Sequence, residues 1–159
     1  MRKPLDLPAL DPSAVPAREG SNYPPPFAAD VAGRRKRPLG DATGLTQFGV
    51  NLVELPPGCW SSQRHWHSHE DEFVWVVEGE LVLVTDAGEQ VLGPGMAAGF
   101  PAGKPDGHHL INRTDRPARY LEVGSRRDEV DEAVYADIDM ELRRRDGRHV
   151  YVKKSGEPY

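Results

Sequence analysis

Between positions 47 and 124 the hydrophobic residues come in short runs cut by turn-forming residues. The runs are 47–55, 59–67, 72–78, 80–85, 89–92, 96–100, 108–112 and 118–123. The breaks are Pro56-Pro57-Gly58, Ser68–Asp71, Glu78-Gly79, Asp86-Ala87-Gly88, Gly93-Pro94-Gly95, Pro101–Gly107 and Asn112–Pro117. Short strands at near-regular spacing predict an all-β sandwich or barrel. No gap between runs can hold a crossover helix, which argues against a parallel α/β fold. Side chains alternate faces along a strand, so Glu72, Val74 and Val76 should face the barrel interior, with Phe73 and Trp75 outside.

The flanks read differently. Residues 1–46 hold eight of the fifteen prolines and show no sustained period. Proline fixes φ and removes a donor, so this stretch predicts an extended arm, lying on the barrel or across a partner subunit. Leu5, Leu7, Leu10, Tyr23 and Phe27 are its candidate anchors. Residues 125–159 predict one or two helical turns over 126–145, then a tail that forms a strand or an irregular arm. The chain thus divides into an arm (1–46), a barrel (47–124) and a C-terminal segment (125–159) packing on the barrel.

Composition narrows the function. The formal net charge is −5, which disfavours a nucleic-acid partner, because phosphate binding needs a positive surface. The basic runs Arg34–Arg37 and Arg143–Arg145 read as solvated surface. No apolar run reaches membrane-spanning length, and Met1-Arg2-Lys3 leads into Pro4 and Asp6 rather than an apolar leader; a cytoplasmic location is expected. Cys59, the single cysteine, excludes an internal disulfide and reads as a small buried hydrophobe.

Histidine placement carries the chemistry. Five of the six histidines fall in two groups, His65/His67/His69 and His108/His109. On a strand, His65 and His67 project the same way and can reach one point. A turn through Ser68–Asp71 brings Glu72 beside them, and His108 opens a later strand. Three imidazoles and one carboxylate suit a divalent ion such as Zn, Fe, Mn or Ni. His69, past the strand end, reads as exposed with Glu70; as a ligand it would replace His65.

At this point the chain resembles the cupin superfamily. Gly58-x6-His65-x-His67-x4-Glu72-x6-Gly79 is similar to the first cupin motif, and Gly95-x5-Pro101-x-Gly103-x4-His108-x3-Asn112 to the second. Both are longer than the family's usual spacing, by one residue before His65 and by two before His108. The spacing to Asn112 selects His108 as ligand, with His109 the alternative. The resemblance implies a double-stranded β-helix (jelly-roll) barrel with one mononuclear metal site. Within the superfamily the chain resembles bacterial single-cupin proteins of unassigned function, some of whose relatives carry the label sugar-phosphate isomerase.

Other residues are candidates for supporting roles. Gln63 shares parity with the histidines, and Asn112 shares the His108 face; either could orient a ligand or bound molecule. Arg64, Lys104 and Arg113 could take a substrate carboxylate or phosphate. Tyr120 could donate a proton near the metal, and Glu72 could act catalytically. Glu122 lies on the same strand as Tyr120, and Trp60 could wall a cavity. Two functions fit: an isomerase, decarboxylase or dioxygenase acting on a small anionic or polyol-like molecule, or a non-catalytic small-molecule or metal-binding protein. A homodimer is expected, because jelly-roll edges and the Phe73/Trp75 face need covering.

Overall fold

The computed structural model describes residues 5–159. Eight strands form where the hydrophobic runs lie: β3 (Phe48–Leu55), β4 (His65–His67), β5 (Glu72–Glu78), β6 (Leu81–Thr85), β7 (Gly88–Leu92), β8 (Ala97–Phe100), β9 (His109–Ile111) and β10 (Ala118–Ser125). They follow two short strands of the N-terminal segment, β1 (Arg18–Glu19) and β2 (Arg35–Pro38). Two places depart from expectation: His108 stands just before β9, in a bridge to His65, instead of opening it, and the 59–67 run is irregular at its start. Residues 60–64 bend, because Trp60 N–H donates to Asp30 O at 2.9 Å and Ser61 N–H to Leu110 O at 2.8 Å, so the regular strand begins at His65.

A six-stranded antiparallel sheet runs β1-β2-β3-β10-β5-β8. The opposing wall is a three-stranded sheet, β7-β6-β9, and a second sheet containing β4; the two meet at the His65↔His108 bridge. Val53, Leu55, Val74, Val76, Leu81, Leu83, Leu92, Leu110 and Tyr120 fill the space between the walls. Val76, Leu55 and Leu81 are fully buried; burial of each such side chain contributes about 1.5–3 kcal/mol. Val74 and Val76 are inside, and Phe73 and Trp75 are exposed at 44% and 48%, as alternation requires. The β5–β6 turn needs Gly79: its φ is +78°, and a Cβ there would lie 2.8 Å from Ala118 Cα.

The flanking segments are more regular than their composition suggests. β2 pairs with β3, Lys36 opposite Val53, and β1 pairs with β2, so the N-terminal stretch extends the barrel sheet. Val15 and Val31 are buried anchors there, and Tyr23 and Phe27 pack on a second cluster of Ala133, Tyr135 and Met140. Leu5 and Leu7, expected as anchors, are exposed at 60% and 66%. The basic run 34–37 is not a solvated surface either. Its four side chains are half-buried, with Arg35 on Glu54, Lys36 on Glu122 and Arg37 on the Val15 carbonyl.

The helical turns expected over 126–145 reduce to a single hydrogen-bonded turn, in which Asp131 N–H donates to Arg127 O at 2.8 Å. Beyond it the chain forms β11 (Ala133–Tyr135), β12 (Glu141–Arg145) and β13 (Arg148–Val152). β11 pairs with β4, Ala133 opposite His67 and Tyr135 opposite His65. The open edge of β4 offers a ladder of backbone donors and acceptors. Pairing with it, while Ala133 and Tyr135 are buried, outweighs a weak local helix preference.

Candidate metal centre

β4 carries His65 and His67 on one face, and the turn before β5 returns Glu72 to them. His65 Nε2 lies 3.1 Å from His67 Nε2 and 3.8 Å from Glu72 Oε2; His67 Nε2 lies 3.7 Å from Glu72 Oε1. His108, held beside β4 by its bridge to His65, places Nε2 2.6 Å from Glu72 Oε2. Its ring stacks on Phe100 with centroids 3.6 Å apart. Four side chains, from β4, β5 and the residue before β9, therefore meet at one place.

Their hydrogen bonds fix which ring nitrogen is free. His65 Nδ1–H donates to Gln63 O at 2.8 Å, and His67 Nδ1–H to Asp131 Oδ2 at 2.6 Å. With Nδ1 protonated, the neutral rings turn two Nε2 lone pairs toward each other. Such lone pairs repel at this separation unless a cation, a proton or a metal ion, is shared between them. The donor set, imidazole nitrogens with one carboxylate, fits a divalent transition ion, and His65, His67 and Glu72 lie close enough together to hold one.

The two rings differ in their electrostatics. Burial pushes His65 down to about 4, with Glu72 opposing and the neighbouring histidines assisting, so its nitrogen stays available at neutral pH. Burial would raise the Glu72 pKa, but the His108 hydrogen bond and the electrostatic influence of the neighbouring His65 and His67 hold its carboxyl well below the usual range. For His67, burial is outweighed by the Asp131 hydrogen bond, and its pKa rises.

A cavity of about 350 Å³ opens on one side of this cluster, lined by His65, His67, Glu72 and His108 together with Tyr120 and Glu122. A second, of about 250 Å³, lies on another side and shares His67, Glu72, Phe100 and His108. Tyr120 is 1% exposed, and its hydroxyl has no hydrogen-bond partner among the described residues. Burial raises its pKa well above the ordinary value, so it can donate a proton or hydrogen bond but is no base at neutral pH.

Of the other sequence candidates, Lys104 lines the second cavity and His109 the first; the rest lie away from the cluster. His109 bonds the Ser62 carbonyl at 3.0 Å and packs edge-on against Trp60. His69 is exposed and bonds Ser68, whereas Glu70, expected to be exposed, is half-buried and accepts from Arg127 N–H. Gln63 supports His65 through its carbonyl, but its amide turns away to Phe27 O and Asp30, both at 3.0 Å. Arg64 is engaged by Asp137, Asp86 and Gly107 and lines neither cavity. Asn112 is fully buried and caps its own turn, donating to Leu55 O and Arg116 O and accepting from Thr114. Arg113 pairs with Glu89, and burial pushes the Cys59 thiol up, away from reactivity.

Asp131 went unrecognised in the sequence. It is 3% exposed; one oxygen holds His67, and the other accepts from His69 N–H at 2.8 Å and Glu70 N–H at 3.2 Å. It thus sets the His67 tautomer and shapes the turn into β5. Nothing near it in the sequence marks it, since only the β4–β11 pairing brings it to His67.

The jelly-roll walls and the inward His/Glu cluster define a cupin, and the chain belongs to the cupin superfamily: the cupin-domain family model matches residues 51–124. It is similar to a solved structure described as a sugar phosphate isomerase from a cupin superfamily, from Silicibacter pomeroyi, at 49% identity and a TM-score of 0.91, covering 96% of each chain. A structure from Acidithiobacillus ferrooxidans, provisionally named a sugar phosphate isomerase, is 30% identical over 80% of this chain and 81% of its own, with a TM-score of 0.72. The polyketide cyclase RemF from Streptomyces resistomycificus is 26% identical over 79% and 80%, with a TM-score of 0.60. No curated protein matches the chain by sequence.

Replacing Asp131 by Asn keeps an acceptor for the turn amides but weakens the hold on His67 Nδ1–H. We expect zinc affinity, measured by competition with a chelating dye, to fall about ten- to a hundredfold with the fold retained. Unchanged affinity would show that Asp131 serves the turn alone.

Proposed function

We propose that the chain is a metal-dependent cupin enzyme that binds a small oxygen-rich molecule, anionic or polyol-like, at His65, His67, Glu72 and His108. The convergence of these four side chains on a ligand-sized cavity carries the reading. A divalent ion held there would supply Lewis-acid polarisation of a ligand carbonyl or hydroxyl oxygen. The chain's own groups do the rest. Asp131 and the Gln63 carbonyl keep His67 and His65 oriented. The Tyr120 hydroxyl is a proton donor lining the cavity. The Silicibacter pomeroyi structure bears the name sugar phosphate isomerase; carried to this chain, that name would make the ligand a sugar phosphate.

One observation favours a non-catalytic binding protein as the second reading. Glu72 and Glu122 are both held below the usual carboxylate range, and Tyr120 is held protonated, so neither carboxylate nor phenol is poised near neutrality as a base.

Protein purified without chelators should carry about one divalent ion per chain, strongly reduced in His67→Ala, because losing one ligand removes a large share of the binding energy. Metal-loaded protein is then screened against sugar phosphates, 2-oxo acids and catechols. Turnover that disappears in Glu72→Gln protein still holding metal supports the enzyme. Thermal stabilisation by a ligand without turnover supports the binding protein. A chain that takes up no metal contradicts both.

We also propose that a second copy covers the outer face of β5. Phe73, Trp75 and Val77 stand there, exposed at 44%, 48% and 50%, an apolar stripe that a lone chain would leave in water. Light scattering should give twice the chain mass, shifting toward the monomer in Trp75→Glu; a monomeric wild type would refute the pairing.

A further inference from the structure

The cavity beside the His/Glu cluster is walled on another side by the N-terminal segment, and one residue there is a cation with no ion-pair partner among the described residues. Arg34 lies one residue before β2 and, like Lys36, lines the cavity. Lys36 is neutralised by Glu122, Nζ to Oε1 at 2.7 Å, and Asn51 Nδ2 steadies the same oxygen at 3.1 Å. Arg34 forms no ion pair among the described residues. Its Nη1 donates to Ser61 O at 2.6 Å and its Nη2 to Gly20 O at 2.7 Å, while Nε is buried and unpartnered. Two backbone carbonyls aim the guanidinium but leave its charge unbalanced. A half-buried cation in that state is costly unless something anionic joins it.

The charge balance of the cavity points the same way. Its charged lining consists of Arg34, Lys36, Glu72 and Glu122, which cancel. A divalent ion on the histidines and Glu72 would leave the cavity with an uncompensated positive charge. Neutral polyols would not relieve that excess; an anion would. The buried Tyr120 hydroxyl, also without a partner, adds a donor on the same cavity.

We propose that Arg34 forms an anion subsite, receiving the carboxylate or phosphate of a small ligand whose other oxygens face His65, His67, Glu72 and His108. The inference rests on the ligand-binding role proposed above for that cluster, and it narrows the ligand to the anionic members of the class. Arg34 lies outside the residues matched by the cupin-domain model, so the subsite is a contribution of the N-terminal segment rather than of the barrel motifs. The guanidinium suits either anion, since its planar donors match two oxygens of a carboxylate or a phosphate.

The test compares two pairs of probes on metal-loaded protein: ribose with ribose 5-phosphate, and glucose with glucuronate. Dissociation constants come from calorimetry, and metal content is measured on every variant. In the wild type at least one anion should bind about tenfold or more tighter than its neutral counterpart, the scale of a hydrogen bond to a charged group. Preference for the phosphate alone or for the carboxylate alone identifies which anion the site takes. Arg34→Met should erase the preference while leaving metal content and the neutral sugar's affinity unchanged. Should Arg34→Met not fold, Arg34→Lys tests the same claim: it keeps a cation but loses the planar pair of donors, and should reduce the preference for the anion. Failure of either anion to be preferred, persistence of the preference without Arg34, or an undiminished preference in Arg34→Lys would each overturn the subsite. A protein that takes up no metal defeats the centre itself; a metal-loaded protein indifferent to ligand charge defeats only the subsite.

Discussion

Two buried imidazoles whose Nε2 atoms face each other must share a cation between them, a proton or a metal ion. His65 and His67 are in that position, with Nε2 atoms 3.1 Å apart, because each Nδ1–H is already committed, one to a backbone carbonyl and the other to Asp131. Much of the surrounding structure serves that arrangement. The His65↔His108 bridge brings the third imidazole across, and the turn from Ser68 to Asp71 returns Glu72 on the inward parity of β5. The hydrophobic core below the cluster gives the site rigid walls, so the four side chains are placed by the sheets rather than by mobile loops.

The barrel supplies the cluster, while both flanking segments supply what surrounds it. From the C-terminal side, β11 zips onto β4 and delivers Asp131 to His67 and Tyr135 against the His65 ring. From the N-terminal side, β2 zips onto β3 and delivers Arg34 and Lys36 to the cavity. The His/Glu cluster set by the barrel thereby acquires a lining from the flanking segments, and differences of substrate within one fold arise in such linings.

The strands, their inward residues and the four-residue cluster were legible because period-two alternation is a local rule. His65 and His67 differ by two, and Glu72, Val74 and Val76 share one parity. The supporting residues were not legible, since their positions depend on pairing between distant strands. Asp131 is 64 positions from His67 and sits in a charged stretch whose local preference is helical. Arg34 sits in a basic run, and nothing in its neighbours separates it from Arg35, which pairs with Glu54 instead. Parity also misled. Gln63 shares the ligand parity, yet residues 60–64 are bent, so its amide turns to the N-terminal segment. Asn112 is spent on closing its own turn.

The most direct measurement is anomalous X-ray scattering from crystals of protein purified without chelators. The account predicts one strong peak per chain, at about 2.0–2.2 Å from nitrogen of His65, His67 and His108 and from a Glu72 oxygen. The absorption edge would name the element. A peak bound elsewhere, or clear density for the four side chains with no peak among them, would contradict the central claim.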